Sequence, residues 1–273
     1  MRRVEREPAF LLHARPYRET SLLIEALCAR HGRVGLVARG VRADKPRWPR
    51  GLLEPFQVLS LGFQGAGELA QLTSVDADAV LPRLVGQRLV CGLYINELTL
   101  RLLARDDPHP ILFDAYRDCL LALHGDASAA WTLRRFERDL LRALGYAPSF
   151  ARDVEGMAID PGGLYRIDPE RGAIALRGTS SERGLFQGSH LLAIERDAEP
   201  DAATLRALRR ITRVLLRPHL GDRAMRATQL LWRSDAALKV PQEAGAFEQD
   251  GFEAGLARVV PLSGDRNPGD GVP

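Results

Sequence analysis

The chain has 273 residues, a formal net charge of +3 and an apolar content of 45%, values typical of a globular protein with a sizeable core. Its length favours two domains over one. The three cysteines form no CxxC pair, so the sequence encodes neither a disulfide framework nor a four-cysteine zinc site. No apolar run is long enough to span a bilayer, and the N-terminal residues lack the apolar segment of a secretory signal, so we expect a cytoplasmic protein.

Five segments with strand character fill the first part of the chain and are separated by turn signals such as Arg15-Pro16 and His31-Gly32. They cover residues 9–13, 21–27, 33–38, 57–62 and 68–74. Five short strands in one small domain favour a closed barrel or a sandwich. We predict an OB-type barrel over residues 1–80, because that fold accommodates a long loop between strands that contacts nucleic acid.

From Leu81 onward the apolar residues follow helical spacing. A first helix ends at the stop signal Asp107-Pro108, and others are predicted over residues 111–124, 128–144 and 201–216. Gly145 lies where a left-handed residue closes a helix. Residues 164–168 and 173–177 flank a turn and predict a β-hairpin inserted among the helices. The predicted fold class is therefore α+β, with a mainly helical domain over residues 81–240.

The C-terminal part of the chain changes character twice. Residues 225–233 predict a last short helix, and the chain after Pro241 is rich in Gly, Pro and acidic residues. Residues 241–273 hold six acidic residues and two arginines, a net charge of −4, which leaves the rest of the chain at +7. We predict a disordered acidic tail there and a basic body that favours a polyanionic partner.

A dense basic segment, residues 39–51, lies between the third and fourth predicted strands. It holds five cations, one anion and one tryptophan, and its two prolines exclude a regular helix or ladder. Cations beside a flat aromatic ring suit phosphates and unstacked bases. The alternative is a solvated loop in an arginine-rich protein, with the tryptophan packed on its own domain. The predicted nucleic-acid contacts are Arg39, Arg42, Lys45, Arg47, Trp48 and Arg50.

Two predicted helices carry further candidate binding residues. The helix over residues 201–216 has apolar residues on one face and arginines on the other, which indicates either a second basic surface for nucleic acid or an ordinary solvated face. In the motif Leu133-Arg-Arg-Phe-Glu, two arginines lie beside an apolar stripe and could bind a peptide carboxylate. The alternative is an ion pair of these arginines with Glu137 or Asp139 on the same helix. The candidates are Arg206, Arg210 and Arg213 on the first helix, and Arg134, Arg135 and Phe136 on the second.

Motifs for common catalytic chemistries are missing from the sequence. It contains no GxxxxGK[ST], no GxGxxG after a strand and no GxSxG elbow. The six histidines have no ligand spacing, and Asp106-Asp107 with His109 fits a helix stop and an N-cap better than a hydrolytic cluster. We therefore expect no enzyme activity, no metal and no cofactor.

Several stretches resemble the RecO family of bacterial DNA repair and recombination mediators, in the same order, along about residues 8–233. The most specific of them is Gly92-Leu-Tyr-Ile-Asn-Glu-Leu. The other stretches are Arg15-Pro-Tyr-Arg-Glu-Thr-Ser, His31-Gly-Arg-Val-Gly-Leu-Val-Ala-Arg-Gly-Val-Arg, Leu53-Glu-Pro-Phe, Gly67-Glu-Leu, Leu133-Arg-Arg-Phe-Glu, Leu144-Gly-Tyr, and Thr204-Leu-Arg to Leu220-Gly.

The resemblance implies an N-terminal OB-fold, a C-terminal helical domain and a nucleoid-associated protein of the RecF pathway. It implies binding of single- and double-stranded DNA, annealing of complementary strands, and loading of RecA together with RecR and single-stranded DNA-binding protein. By position in the family's basic barrel region, Arg33 joins the cations of the basic segment. Arg134 becomes the candidate clamp for the acidic tail of single-stranded DNA-binding protein, with Phe136 lining or supporting an apolar pocket.

One departure from the family pattern concerns residues 146–190. Many relatives carry a four-cysteine zinc module between the helices, whereas this segment contains no cysteine. We therefore predict no zinc and a hairpin held by packing alone. Two alternative functions stay open at this point, namely a protein–protein adaptor with little direct DNA contact and an RNA-binding OB protein.

Overall fold

The computed structural model describes residues 2–49, 51–65, 67–79, 81–176, 184–196, 199–221 and 225–227. Its first five strands close into a barrel in the order β1-β2-β3-β5-β4, with β4 pairing back to β1. Their bounds are β1 Arg2–Tyr17, β2 Ser21–Cys28, β3 Gly32–Ala38, β4 Val58–Gly65 and β5 Ala70–Ala79. Only the β3–β5 pair is parallel among these strands. The predicted five-stranded OB-type barrel is confirmed.

Strand β1 is longer than the sequence pattern indicates, because it serves both sides of the closure. Its first half pairs with β4 and its second half with β2, with register shifts between Val4 and Glu7 and between Leu11 and His13. Bulges of this kind bend a strand so that it can turn the corner of a barrel. The N-terminal half was missed because its residues are mostly charged and show no apolar alternation.

Five helices with defined bounds follow the barrel within the described residues: α1 Gly86–Leu102, α2 Pro110–His124, α3 Ala129–Ala143, α4 Gly188–Glu195 and α5 Ala202–Leu220. Four of the five predicted helices are present here, and the short α4 was not predicted. Helix α3 ends in a Schellman motif around Gly145, whose φ is 74°. Gly145 N donates to Arg142 O at 3.0 Å and Tyr146 N donates to Leu141 O at 2.8 Å, as the position of the glycine predicted.

A small antiparallel sheet lies among the helices in the order β7-β6-β8. Its strands are β6 Leu164–Asp168, β7 Gly172–Ala175 and β8 Phe186–Gln187, so the predicted hairpin is present and gains a third strand. Tyr165, Ile167 and Phe186 are buried in the core that the helices share. Packing is supplemented by hydrogen bonds, since Asp160 N donates to the Tyr165 hydroxyl at 2.8 Å. Of the predicted helix over residues 225–233, only residues 225–227 lie in the described part of the chain.

The barrel and the helices share one apolar core. Phe10 of β1 lies 5.2 Å from Phe113 and 5.0 Å from Tyr116 of α2, measured between ring centroids. Polar contacts cross the same junction, because the Asn96 amide donates to Leu12 O at 2.9 Å and accepts from the Tyr116 hydroxyl at 2.6 Å. A second apolar cluster fills the barrel itself. The surface of the barrel that faces away from the helices is therefore the part that remains available to a partner.

Candidate nucleic-acid interface

The connection from β3 to β4 carries the basic segment, which we call the basic loop (residues 39–51). Its base is ordered by backbone hydrogen bonds, from Arg42 N to Thr20 O at 2.9 Å and from Arg47 N to Gly40 O at 3.1 Å. Gly40 has a φ of 70°, a value that favours glycine and permits the sharp exit from β3. The four described cations of the loop are exposed: Arg39, Arg42, Lys45 and Arg47. Arg50 lies outside the described residues.

Three of these cations have no ion-pair partner within the described part of the chain, namely Arg39, Arg42 and Lys45. Exposed, fully hydrated cations on a turn that is itself held in place can approach a polyanion without breaking internal contacts. Neutralising phosphates in this way releases condensed counterions, which favours binding to any nucleic-acid sequence.

Trp48 is half-buried and packs against the apolar cluster inside the barrel, together with Val41 and Leu52. The Arg47 guanidinium lies over its ring, 4.7 Å from the centroid, and also donates to Thr73 O at 3.3 Å. In this conformation the ring anchors the loop to the barrel and supports a cation on its surface. The predicted stacking of Trp48 on a base stays a prediction.

Arg33 is the member of the predicted set that lies elsewhere. Its guanidinium donates to Leu100 O and is paired with Glu25, 3.5 Å away, and only 19% of its side chain is exposed. Burial lowers the pKa of Arg33, while Glu25 acts in the opposite direction. Arg105 also pairs with Glu25. The structure thus places Arg33 in an ion cluster between barrel and helices, and not beside the basic loop.

Helix α5 confirms the two-faced pattern read from its sequence. Leu208, Ile211 and Leu215 are buried, and the arginines on the opposite face are exposed. The Asp201 carboxylate caps the helix by accepting from Thr204 N at 2.7 Å, which lowers the pKa of Asp201. Five arginines form this basic face: Arg206, Arg209, Arg210, Arg213 and Arg217. The guanidinium of Arg210 lies 5.0 Å from the Phe186 ring centroid, so one arginine of this face packs against β8 of the small sheet.

The Arg-Arg-Phe-Glu segment of α3 is built differently. Arg134 is paired with Glu137, and the side chains are 9% and 1% exposed respectively. The Tyr94 hydroxyl donates to the same carboxylate at 2.6 Å, and burial, followed by the charge of Glu137, raises the pKa of Tyr94, so it stays a neutral donor. The ion pair weighed as an alternative for Arg134 is therefore present. Phe136 is fully buried in the core and Arg135 is half-buried.

Comparison with known proteins gives a consistent result over most of the chain. The family model "Recombination protein O N terminal" matches residues 1–79, and "Recombination protein O C terminal" matches residues 83–228. The chain belongs to the RecO family. DNA repair protein RecO of Stenotrophomonas maltophilia K279a is 47% identical over 231 residues, which is 84% of this chain and 96% of the relative. The RecO of Xanthomonas euvesicatoria pv. vesicatoria 85-10 is 44% identical over the same shares.

Membership of the RecO family confirms the resemblance read from the sequence and gives the chain a role in DNA repair and recombination. None of the helices in the described part of the chain is long and apolar enough to cross a membrane. In that same part, no three His, Cys, Asp or Glu side chains lie close enough together to hold a metal ion.

The most specific RecO-like stretch, Gly92 to Leu98, proves to be a structural junction. A Cβ on Gly92 would lie 2.9 Å from the ring of Phe56, so only glycine permits this contact between α1 and the barrel. Tyr94 binds Glu137 of α3, and Asn96 binds the barrel backbone. Sequence reasoning did not assign these roles, because they depend on partners that are 40 or more positions away in the chain.

Proposed function

We propose that this RecO-family chain binds single- and double-stranded DNA through the basic loop, with the arginine face of α5 as a second contact surface. The observation that carries the proposal is a set of exposed cations on an ordered loop of an OB-type barrel, with no ion-pair partner among the described residues. Contacts of this kind go to phosphates, so binding is expected to be independent of sequence.

Annealing follows from the same physics. Two complementary strands repel each other until cations displace their counterions, and the free energy of that release is independent of the base sequence. The basic loop and the α5 face would each neutralise one strand and leave the bases free to pair. This mechanism requires no nucleotide hydrolysis, in agreement with the motifs that the sequence lacks.

The test is a salt titration of single-stranded DNA binding with the triple variant Arg39→Ala, Arg42→Ala, Lys45→Ala. Each lost phosphate contact should flatten the dependence of log K on log salt by about 0.7 for single strands, so about two units in total are expected. The same variant should lose annealing of complementary strands in proportion to its lost affinity.

A matched control removes three exposed arginines from the region of the small sheet, as Arg152→Ala, Arg166→Ala, Arg171→Ala. It changes the net charge of the chain by the same amount, so a general electrostatic effect would lower the DNA affinity of both variants equally. An unchanged slope in the loop variant would remove the loop from the binding site. Annealing that survives in that variant would favour the adaptor, and tighter binding of a matched RNA would favour the RNA-binding alternative.

The proposal extends to protein partners of the recombination pathway: RecR, RecF, RecA and single-stranded DNA-binding protein. The region of Arg134, Arg135 and Phe136 is proposed for the acidic tail of single-stranded DNA-binding protein. It is supported by its place in the fold, because α3 carries this segment and packs against α5, the helix that has the basic face.

Testing that site requires a variant that does not leave a buried charge unpaired. Arg134→Ala alone leaves the buried Glu137 carboxylate without its counter-charge and destabilises the fold. A loss of peptide binding in that variant would therefore not distinguish unfolding from a lost contact with the peptide. The double variant Arg134→Met, Glu137→Leu removes both charges and keeps apolar volume, and Arg135→Ala removes the half-buried neighbour. Both should weaken binding of an acidic peptide and leave the binding of naked DNA unchanged. Unchanged peptide binding in both would place the site elsewhere.

A further inference from the structure

Strands β1, β2 and β3 present an outer face beside the basic loop. Alternate residues of these strands, among them Ala14, Ile24 and Leu36, belong to the apolar cluster inside the barrel, so the residues between them point outward. The outward residues lie opposite one another across the three strands, and Glu25, paired with Arg105, ends this face toward the helices. The outer face comprises Arg15, Tyr17, Ser21, Leu23 and Val37.

An apolar strip crosses the outer face. Leu23 is 8% exposed and Val37 is half-buried, yet within the described residues neither belongs to one of the two apolar clusters. Leu69, the residue before β5, is 36% exposed and covers Gly35, since a Cβ on that glycine would lie 2.9 Å from the Leu69 side chain. Apolar side chains that are grouped on a surface, outside any core, favour a contact site for another molecule.

Tyr17 lies at the end of this strip, next to the turn between β1 and β2. Its ring is half-buried and, unlike Trp48, joins neither apolar cluster within the described part of the chain. Arg18 has a φ of 52°, an uncommon value for a residue other than glycine, and its guanidinium lies 5.2 Å from the centroid of the Tyr17 ring. A ring with a cation beside it is suited to an unpaired base and its phosphate.

The turn after Tyr17 is joined to the basic loop. Arg42 N of the loop donates to Thr20 O of the turn at 2.9 Å. The register that pairs Tyr17 with Ser21 places Arg39, the first residue after β3, in the same row on the next strand. Two strand spacings, about 10 Å, therefore separate the backbone of Tyr17 from that of Arg39. The cations of the basic loop and the ring of Tyr17 thus border one continuous surface.

We propose that this outer face binds the unpaired bases of single-stranded DNA, with Tyr17 as the ring on which one base stacks. The proposal rests on the phosphate contacts proposed for the basic loop, and it adds the surface that the bases contact. Bases of a duplex are stacked on each other and paired, so the outer face contributes to the binding of single strands and not of duplexes. Every base has a flat π-face, so this contact has no sequence preference.

The variant Tyr17→Leu tests the stacking contact, because it keeps an apolar side chain and removes the ring. Affinity for single-stranded DNA should fall about five- to hundredfold, the range for one lost base–aromatic stack, and duplex affinity should change by no more than about twofold. The slope of log K against log salt should stay the same, because no phosphate contact is lost. Tyr17→Phe keeps the ring and should bind single strands as tightly as the unmodified chain.

The matched control is Tyr146→Leu, which makes the same change in the helical domain. Tyr146 is 40% exposed and its ring is already stacked on His219, with 3.8 Å between the ring centroids, so single-strand affinity should stay unchanged. A second measurement needs no variant. An oligonucleotide that carries 5-iododeoxyuridine should cross-link to Tyr17 on irradiation, and peptide mass spectrometry locates the attached base.

The loop and the ring are tested independently. An unchanged salt slope in the triple loop variant removes the loop from the binding site, whatever Tyr17 does. If the loop variant behaves as expected, three results would overturn stacking on Tyr17: unchanged single-strand affinity in Tyr17→Leu, an equal loss in Tyr17→Phe, or a cross-link that maps to another residue. Equal losses for single strands and duplexes in Tyr17→Leu would also overturn it, because they indicate a basic loop displaced through its contact with Thr20.

Discussion

The arginines of the basic loop and those of the α3 segment differ in their surroundings and therefore in their roles. On the loop, Arg39 and Arg42 are exposed and have no ion pair within the described residues. On α3, Arg134 is buried against Glu137, and Arg138 is paired with Asp139 at 2.7 Å. A guanidinium in water is available to a phosphate, whereas a buried one is committed to its internal partner. Surroundings, and not residue identity, separate a binding arginine from a structural one.

Removing one partner of the buried pair should have the largest effect. Glu137→Ala leaves Arg134 buried without its counter-charge and Tyr94 without its acceptor. We expect a loss of about 3–5 kcal/mol in the free energy of unfolding, measured by chemical denaturation. The control Glu54→Ala breaks the exposed pair with Arg83 and should cost about 1 kcal/mol or less. Similar losses of unfolding free energy in the two variants would contradict the distinction between buried and exposed arginines.

The Tyr94 hydroxyl isolates one hydrogen bond of the same network. Tyr94→Phe keeps the ring and removes only the donor that binds the Glu137 carboxylate at 2.6 Å. A hydrogen bond to a charged, buried acceptor is worth about 1.5–3 kcal/mol, so the variant should lose that much stability. A double-mutant cycle with Glu137→Gln should show coupling between the two positions. Additive effects would mean that the hydroxyl acts independently of the carboxylate.

The secondary structure can be predicted from the sequence, whereas the contacts of the buried arginines and of Tyr94 cannot, for a physical reason. Alternating and helical apolar patterns are local, so the strands of the barrel, the helix predicted over residues 201–216 and the glycine that ends α3 follow from neighbouring residues. Helical spacing also shows which face of α5 is apolar. It does not show that Tyr94 covers Glu137, or that Leu100 O takes the guanidinium of Arg33, since those partners come from distant parts of the chain.

A smaller effect is expected from removing residues 241–273. The segment has a net charge of −4, which repels a polyanion. Truncation after Val240 should strengthen binding of single-stranded DNA about two- to fivefold at low salt, and the gain should fade as salt screens the charges. An affinity for single-stranded DNA that is unchanged at low salt would show that the charge of the segment does not act on DNA binding.

The smallest effect on DNA binding is expected from replacing Trp48, the loop residue whose ring packs inward while its neighbouring cations are exposed. Its ring packs on the barrel beneath Arg47, so its role in this conformation is apolar anchoring. Trp48→Leu keeps an apolar anchor and removes the flat ring, and single-stranded DNA affinity should therefore change by no more than about twofold. Base–aromatic stacking is worth about 1–3 kcal/mol, so a stacked ring would instead cost about five- to hundredfold. A loss in that range, with exchange of the loop backbone unchanged, would show that the loop turns Trp48 outward when DNA binds.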